Sequence, residues 1–306
     1  MDKVHDLIII GGGPGGYTAA LYAARAGLNV VVLEKLSAGG QMALTSQIDN
    51  YPGFDQGVDG FELGEKMQLG AERFGAVTEL ADVYSVDLQA QPKKISTSEG
   101  EYFARAVVIA TGANPRKLGL PEEEALTGRG VNYCAHCDGP FYKDKTVVVV
   151  GGGNTAVADA IYLSRIAKKV ILVHRRDTLR ATKIYNKILQ ELPNVEIFWN
   201  TVVSKLLQNS RLAGIILKDM HTGEEAQLHC DGIFVSVGRV PATELFHGQL
   251  QLDNAGYIVA GEDTHTNIPG VYAAGDVRTK TLRQIVTAVS DGAVAASEAE
   301  QYLSGV

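Results

Sequence analysis

The sequence predicts an α/β protein built from two Rossmann-like domains of the three-layer ββα type, one inserted into the other. Three observations lead there. A strand, a glycine-rich turn and a helix-like segment occur twice, in register at an offset of 140 residues. A length of 306 residues is more than one hydrophobic core usually fills and fits two. Glycine is in excess, with 34 residues and no G-X-Y period, against a background of roughly 7%, which points to tight backbone turns.

In chain order, the apolar run Leu7 to Ile10 reads as a buried strand and ends in Gly11-Gly12-Gly13-Pro14-Gly15-Gly16. The helix-like YTAALYAARAGL and a second strand, Val30 to Glu34, follow. A strand-and-turn stretch from Val77 to Phe103 then leads into VVIATGANP at 107 to 115. The second copy opens with Val147 to Val150 and turns through Gly151-Gly152-Gly153-Asn154-Thr155-Ala156. It continues as VADAIYLSRIA, reaches a strand ending at His174, and passes from Val195 to His229 into IFVSVGRVP at 233 to 241. Gly11 maps onto Gly151, Gly16 onto Ala156 and Glu34 onto His174, and three matches in one register indicate duplication. The C-terminal GVYAAGDV (270 to 277) and LRQIVTAVSDGAVAASEAEQYL have no counterpart in the second copy, so they return to complete the first domain. The expected domains are 1 to 115 with 245 to 306, and an inserted 116 to 244.

Composition removes several alternatives. Hydrophobic residues at 45% and charged residues at 21% are ordinary globular usage. Lys and Arg number 28 against 35 Asp and Glu, a net charge of -7, which argues against a nucleic-acid or anionic-membrane surface. Three cysteines cannot staple a secreted scaffold. No apolar stretch approaches the ~20 residues needed to span a bilayer, and the N-terminus reads as a strand, not a signal. The expected location is the cytoplasm.

The two glycine loops carry phosphate chemistry. In G-x-G-x-x-G the first glycine makes the turn, the second lets backbone approach a pyrophosphate and the third allows close helix packing. The helix N-terminus adds unpaired N–H groups and a partial positive charge. Gly11, Gly13 and Gly16 fit this pattern, as do Gly151 and Gly153 with Ala156 in third place. Glu34, at the tip of the second strand, can bond both ribose hydroxyls and would repel a 2′-phosphate, so the first site suits FAD or NAD. His174, Arg175 and Arg176 stand at the matching tip, with Arg180 a turn further on. Guanidinium groups bind phosphate oxygens bidentately, which suits the 2′-phosphate of NADP.

Cys134-Ala135-His136-Cys137 is the remaining chemical element. Beside a dinucleotide domain, Cys-x-x-Cys suggests a reversible disulfide. Zinc is the rival, but there is no second such pair and Cys230 lies far along the chain, where it reads as a small core hydrophobe. Asp138 follows Cys137 and can deliver protons to the sulfurs or simply cap a turn; His136 is the other candidate acid.

Together these features resemble the low-molecular-weight bacterial thioredoxin reductases, in the class II pyridine nucleotide-disulfide oxidoreductase family. The resemblance runs through GGGPGGYTAALYAAR, GGQM (39 to 42), IDNYPGF (48 to 54), ATG (110 to 112), GRGVNYCAHCDGPF (128 to 141), GGGNTAVADA (151 to 160), HRRDTLRA (174 to 181) and AGDVRTKTLRQIVTA (274 to 288). It implies FAD in the first site, NADPH in the second, and a homodimer. It implies FAD contacts around Pro14, Gly40, Gln41, Asn50, Ala110, Thr111, Gly112, Gly275, Asp276, Arg283 and Gln284, and NADPH contacts from Asn154 and Thr155. Cys137 would face the flavin, Cys134 would form a mixed disulfide with thioredoxin or a thioredoxin-like protein, and Asp138 would be the acid. A rotation about two linkers, near 114 to 118 and 240 to 246, would separate the half-reactions. Two departures stand out: His136 gives CAHCDGP, close to the CPHCDGP of the alkyl hydroperoxide reductase flavoprotein, and Asp159 replaces a common Glu. The alternatives are a reductase for another thioredoxin-like or peroxiredoxin-system partner, and a flavin-dependent dithiol oxidase, which would not need the arginine turn.

Overall fold

In β1 (Val4–Ile10), Leu7 and Ile9 pack on one side and Ile8 and Ile10 on the other, and all four are buried. Strand side chains alternate between faces, so a strand apolar on both must be covered twice. This is the origin of the three layers. The structure is a computed structural model that describes residues 3 to 45 and 48 to 305.

From β1 the chain enters α1 (Pro14–Arg25), β2 (Val30–Glu34), α2 (Gly60–Glu72), β3 (Val77–Leu80), β4 (Val83–Asp87), β5 (Lys93–Thr97), β6 (Gly100–Ile109) and β7 (Ala113–Pro115). β3, β2, β1 and β6 are parallel, whereas β5 pairs antiparallel with the first half of β6 and with β4. Within the 77 to 103 stretch, β3 joins the parallel sheet, and only β4, β5 and the start of β6 pair antiparallel. α1 starts at Pro14, three residues before the apolar helix pattern begins. Glycine is a poor helix former, but proline at the first helical position has a preset φ and loses no needed N–H. α2 has a weak sequence pattern and is set by its cap, Asp59, which accepts the Glu62 N–H at 3.0 Å.

The inserted segment contains α3 (Glu123–Leu126), β8 (Val131–Asn132), α4 (Ala135–Asp138), β9 (Thr146–Val150), α5 (Asn154–Leu163), β10 (Lys169–Val173), α6 (Lys183–Gln190), β11 (Val195–Phe198), β12 (Thr201–Gln208), β13 (Leu212–Asp219), β14 (Glu225–Leu228), β15 (Gly232–Val235) and β16 (Arg239–Pro241). Its parallel sheet runs β11-β10-β9-β15-β8, and β12-β13-β14 form a separate antiparallel sheet. The alternation recurs. Val147, Val149, Val170 and Leu172 pack with α5, while Val148, Val150, Ile171 and Val173 pack with Leu206, Ile215 and Leu217 of the antiparallel sheet.

The chain then returns through β17 (Val271–Ala273), parallel to β6, into α7 (Ile285–Ser304). α7 crosses α1 at glycine: a Cβ on Gly292 would lie 2.2 Å from the Gly15 carbonyl oxygen. The compact units are Met1–Asn114 with Val240–Val306, and Pro115–Arg239. The second crossing falls before residue 245 because the Ala242 N–H bonds the Gly112 carbonyl and the Thr111 hydroxyl donates to the Ala242 carbonyl at 2.7 Å. β7 and β16 pair as a two-stranded ribbon. No helix among the described residues is long and apolar enough to cross a membrane.

Candidate active site

At the first glycine loop, Gly11 has φ +105°, and a Cβ there would lie 2.5 Å from the Ala110 carbonyl oxygen. A Cβ on Gly16 would lie 1.9 Å from the Gly11 carbonyl oxygen. Gly13, by contrast, faces open space and caps α1 with no side-chain bond to its N–H groups. Side-chain-free backbone, uncapped donors and an open face make a cradle for a pyrophosphate. Glu34 accepts the Gly12 N–H at 2.6 Å and the Leu36 N–H at 3.1 Å, which fixes its carboxylate beside that cradle. The Gly39 N–H bonds the Gly12 carbonyl at 2.8 Å, so the turn carrying Gly40 and Gln41 lies against the same loop.

The other expected FAD contacts are held in the same compact unit by bonds of their own. Gln41 donates to Asn114 at 3.0 Å, Gly112 follows Ala110 and Thr111 at φ +71°, and Asn50 donates to Gln284 at 2.9 Å. Arg283 lies over the Tyr257 ring at 4.0 Å and reaches the Arg278 carbonyl at 3.2 Å. Gly275 and Asp276 sit in a 3-10 turn at 275 to 277. That turn is held by Asp291, a residue the sequence reading passes over. Asp291 accepts from the Gly275 N–H at 2.8 Å, from Arg278 at 2.9 and 2.7 Å, and from Lys280 at 2.7 Å. Burial alone would raise its carboxyl, but these donors outweigh burial and hold it below the usual range. A single buried aspartate in a helix has no pattern that marks it.

The second loop repeats the first. A Cβ on Gly151 would meet the Ser236 carbonyl oxygen at 2.4 Å, Gly153 faces open space, and α5 also starts without a side-chain cap. The Arg180 N–H bonds the Gly152 carbonyl at 2.7 Å and Asn154 accepts the Thr182 N–H at 2.9 Å, so residues 174 to 182 wrap the loop. Arg175, Arg176 and Arg180 are exposed. His174 differs from them. It is 5% exposed, it bonds the Thr178 carbonyl at 3.0 Å, and burial, with the three arginine charges, pushes its pKa down. The positive charge of this turn therefore comes from the arginines.

Cys134 and Cys137 form a disulfide with Cα atoms 5.3 Å apart. Cys134 is the N-cap of α4, its sulfur accepting the Cys137 N–H at 3.3 Å. Burial pushes the Asp138 carboxyl up to about 6. It opens onto a cleft of about 450 Å³ shared with Asn132, Tyr142, Lys145 and Arg211. His136 is exposed and stacks on Tyr162 at 4.1 Å. Asp159 is buried and accepts the Ser236 hydroxyl at 2.5 Å; burial raises its pKa despite that bond. Cys230 is a free, fully buried thiol that burial pushes up to about 12, which leaves it inert.

Residues 5 to 292 match the family model "Pyridine nucleotide-disulphide oxidoreductase". The chain is 48% identical to a thioredoxin reductase of Streptomyces clavuligerus, over all of this chain and 96% of that protein. The chain belongs to the thioredoxin reductase family of pyridine nucleotide-disulphide oxidoreductases. A thioredoxin reductase of Listeria monocytogenes is 45% identical over 99% of this chain and 95% of its own length. The crystal structure of thioredoxin reductase from Streptococcus pyogenes superposes with a TM-score of 0.84, at 42% identity and full coverage of both chains. The thioredoxin reductase family uses FAD and NADPH, and the two uncapped glycine cradles are of the kind two dinucleotides require.

Proposed function

We propose that the chain is an NADPH-dependent thioredoxin-disulfide reductase, acting in the cytoplasm as a homodimer. The observation that carries the reading is the Cys134–Cys137 disulfide in the same unit as a pyrophosphate cradle wrapped by three exposed arginines. In this reading Gly11, Gly13, Pro14 and Gly16 hold the FAD pyrophosphate and Glu34 its ribose. Gly40, Gln41, Asn50, Ala110, Thr111, Gly112, Gly275, Asp276, Arg283 and Gln284 line the rest of that site. Gly151, Gly153, Asn154 and Thr155 hold the NADPH pyrophosphate, Arg175, Arg176 and Arg180 its 2′-phosphate, and His174 supports the loop from beneath. FAD, when bound, links two-electron nicotinamide chemistry to sulfur.

The protein's own chemistry is thiol-disulfide exchange. The reduced Cys134 thiolate, favoured by the Cys137 N–H that its sulfur accepts, attacks one sulfur of the thioredoxin disulfide and releases the other as thiolate. Cys137 thiolate then attacks Cys134 in the mixed disulfide, which restores the internal disulfide and frees reduced thioredoxin. Asp138, part protonated near neutrality, supplies a proton to a departing thiolate. Rotation about the two chain crossings separates this exchange from the NADPH half-reaction.

The test is anaerobic NADPH oxidation by the yellow holoenzyme with a panel of thioredoxin-like proteins. Bleaching by NADPH but not NADH, and sustained turnover with thioredoxin, are expected. A colourless protein, or bleaching without turnover on any of the panel, would remove the reading.

A further inference from the structure

Trp199 is the chain's single tryptophan, and it is not in the core: 37% of it is exposed. It follows β11 at the corner into β12, and that corner is clamped to the arginine turn by three backbone hydrogen bonds. The His174 N–H bonds the Phe198 carbonyl at 2.9 Å, the Asn200 N–H bonds the Arg176 carbonyl at 3.2 Å, and the Thr201 N–H bonds the His174 carbonyl at 3.0 Å. Two further bonds stiffen the corner. The Thr201 hydroxyl donates to the Trp199 carbonyl at 2.7 Å, and the Met220 N–H bonds the Asn200 carbonyl at 2.7 Å. Asn200 takes φ 51°, a left-handed conformation that non-glycine residues seldom adopt.

The indole meets His174 edge to face, at 6.4 Å and 73°. The His174 ring in turn fills the space beneath Gly152, where an added Cβ would lie 2.1 Å from it. The glycine loop, the buried histidine and the indole are therefore packed in series, and the arginine turn is hydrogen-bonded through its backbone to the same corner. Turning a corner does not require a tryptophan, and an exposed indole gives up much of the burial that such a side chain usually gains. What the position does supply is a rigid, flat, polarisable face on a corner clamped by its backbone to the arginine turn.

We propose that Trp199 is the platform on which the adenine of NADPH stacks. The inference rests on the assignment of the 2′-phosphate to Arg175, Arg176 and Arg180 and extends it to the rest of the adenosine. A phosphate on the ribose 2′-oxygen brings the base of that same ribose to within a few bonds of the arginines, where the indole stands. Every purine offers a π face, so an aromatic side chain binds it without reading its edges. The arginines then select the phosphate, and the tryptophan adds affinity common to NADPH and NADH. Buried and neutral, His174 anchors the indole without competing for the anion.

The experiment uses the FAD-loaded enzyme and adenosine 2′,5′-bisphosphate, which carries the adenine and the 2′-phosphate but no nicotinamide. Because Trp199 is the only tryptophan, its emission is a local reporter. The expected result is a saturable change in emission whose midpoint equals the Kd from calorimetry. Trp199→Ala should weaken the probe by roughly five- to hundredfold, the range for loss of one base–aromatic stack. Trp199→Phe should restore most of the affinity, and Trp199→Leu, which keeps apolar bulk without a π face, should not. An unchanged Kd in Trp199→Ala, or full rescue by Leu, would overturn the platform while leaving the arginine assignment intact. Equal binding of the probe and 5′-ADP to the wild type would instead remove the arginine assignment, and the platform with it.

Discussion

Asn50 donates to Gln284 at 2.9 Å across 234 positions of the chain. Gln284 caps α7 through a reciprocal pair with Thr287, so the bond ties the 48 to 54 loop to the start of that helix. Both residues belong to the proposed FAD site, and the bond is exposed. Asn50→Ala should therefore leave the fold intact and weaken FAD retention several-fold, about the 0.5–1.5 kcal/mol of one hydrogen bond. Flavin released on gel filtration, measured against the melting temperature, checks this; a lowered melting temperature of the apoprotein would make the bond structural.

Cys134→Ser and Cys137→Ser should each abolish thioredoxin reduction while NADPH still bleaches the flavin. Stopped-flow absorbance under anaerobic conditions separates the two. Loss of both reactions would show that the cysteines serve FAD binding.

Arg175→Ala combined with Arg176→Ala should raise KM for NADPH by tenfold or more, since bonds to charged groups contribute about 1.5–3 kcal/mol each. KM for NADH should change far less. Steady-state kinetics with both nucleotides decides, and equal effects would end the phosphate assignment.

Asp138 links activity and stability to pH. Its folded pKa, about 6, lies above the unfolded value near ~4, so the native state binds the proton more tightly. Stability contributed by this group therefore falls as pH rises from ~4 to about 6 and is level beyond. Asp138→Asn should remove that slope, so its melting temperature gains on the wild type across this interval and then keeps a constant lead. The same variant should slow turnover with thioredoxin, as a proton donor is lost. A variant whose stability difference from wild type did not change with pH would contradict the raised pKa.

The loop glycines should separate by role. Gly13→Ala puts its methyl into open space and should keep the apoprotein's melting temperature while lowering FAD content. Gly16→Ala drives its methyl into the Gly11 carbonyl and should lower both, by an amount typical of overpacking, about 1–3 kcal/mol or more. Thermal melts and the flavin-to-protein absorbance ratio distinguish the pair.

Several features follow from short-range chemistry and are legible in the chain alone. The valine and isoleucine strands, the glycine loops and the 140-residue offset predict two cradles because a pyrophosphate needs backbone without side chains, and only glycine at fixed spacing provides it. Likewise the Cys134–Cys137 spacing and the charge of Arg175 and Arg176 are local facts. The helix starts at Pro14 and Asn154 are not, since weak helix formers are held there by packing and by the proline ring.

Tertiary structure alone decided how those groups differ within a motif. His174 and its arginine neighbours are adjacent and all potential cations on paper, yet burial under Gly152 pushes the histidine pKa down while the arginines stay exposed. Asp291 lies 15 residues beyond Asp276, and only the crossing of α7 turns it onto Gly275, Arg278 and Lys280. Trp199 acquires its neighbours from the pairing of β10 with β11. Desolvation and long-range hydrogen bonding depend on what the rest of the chain places around a side chain, and no local pattern encodes that.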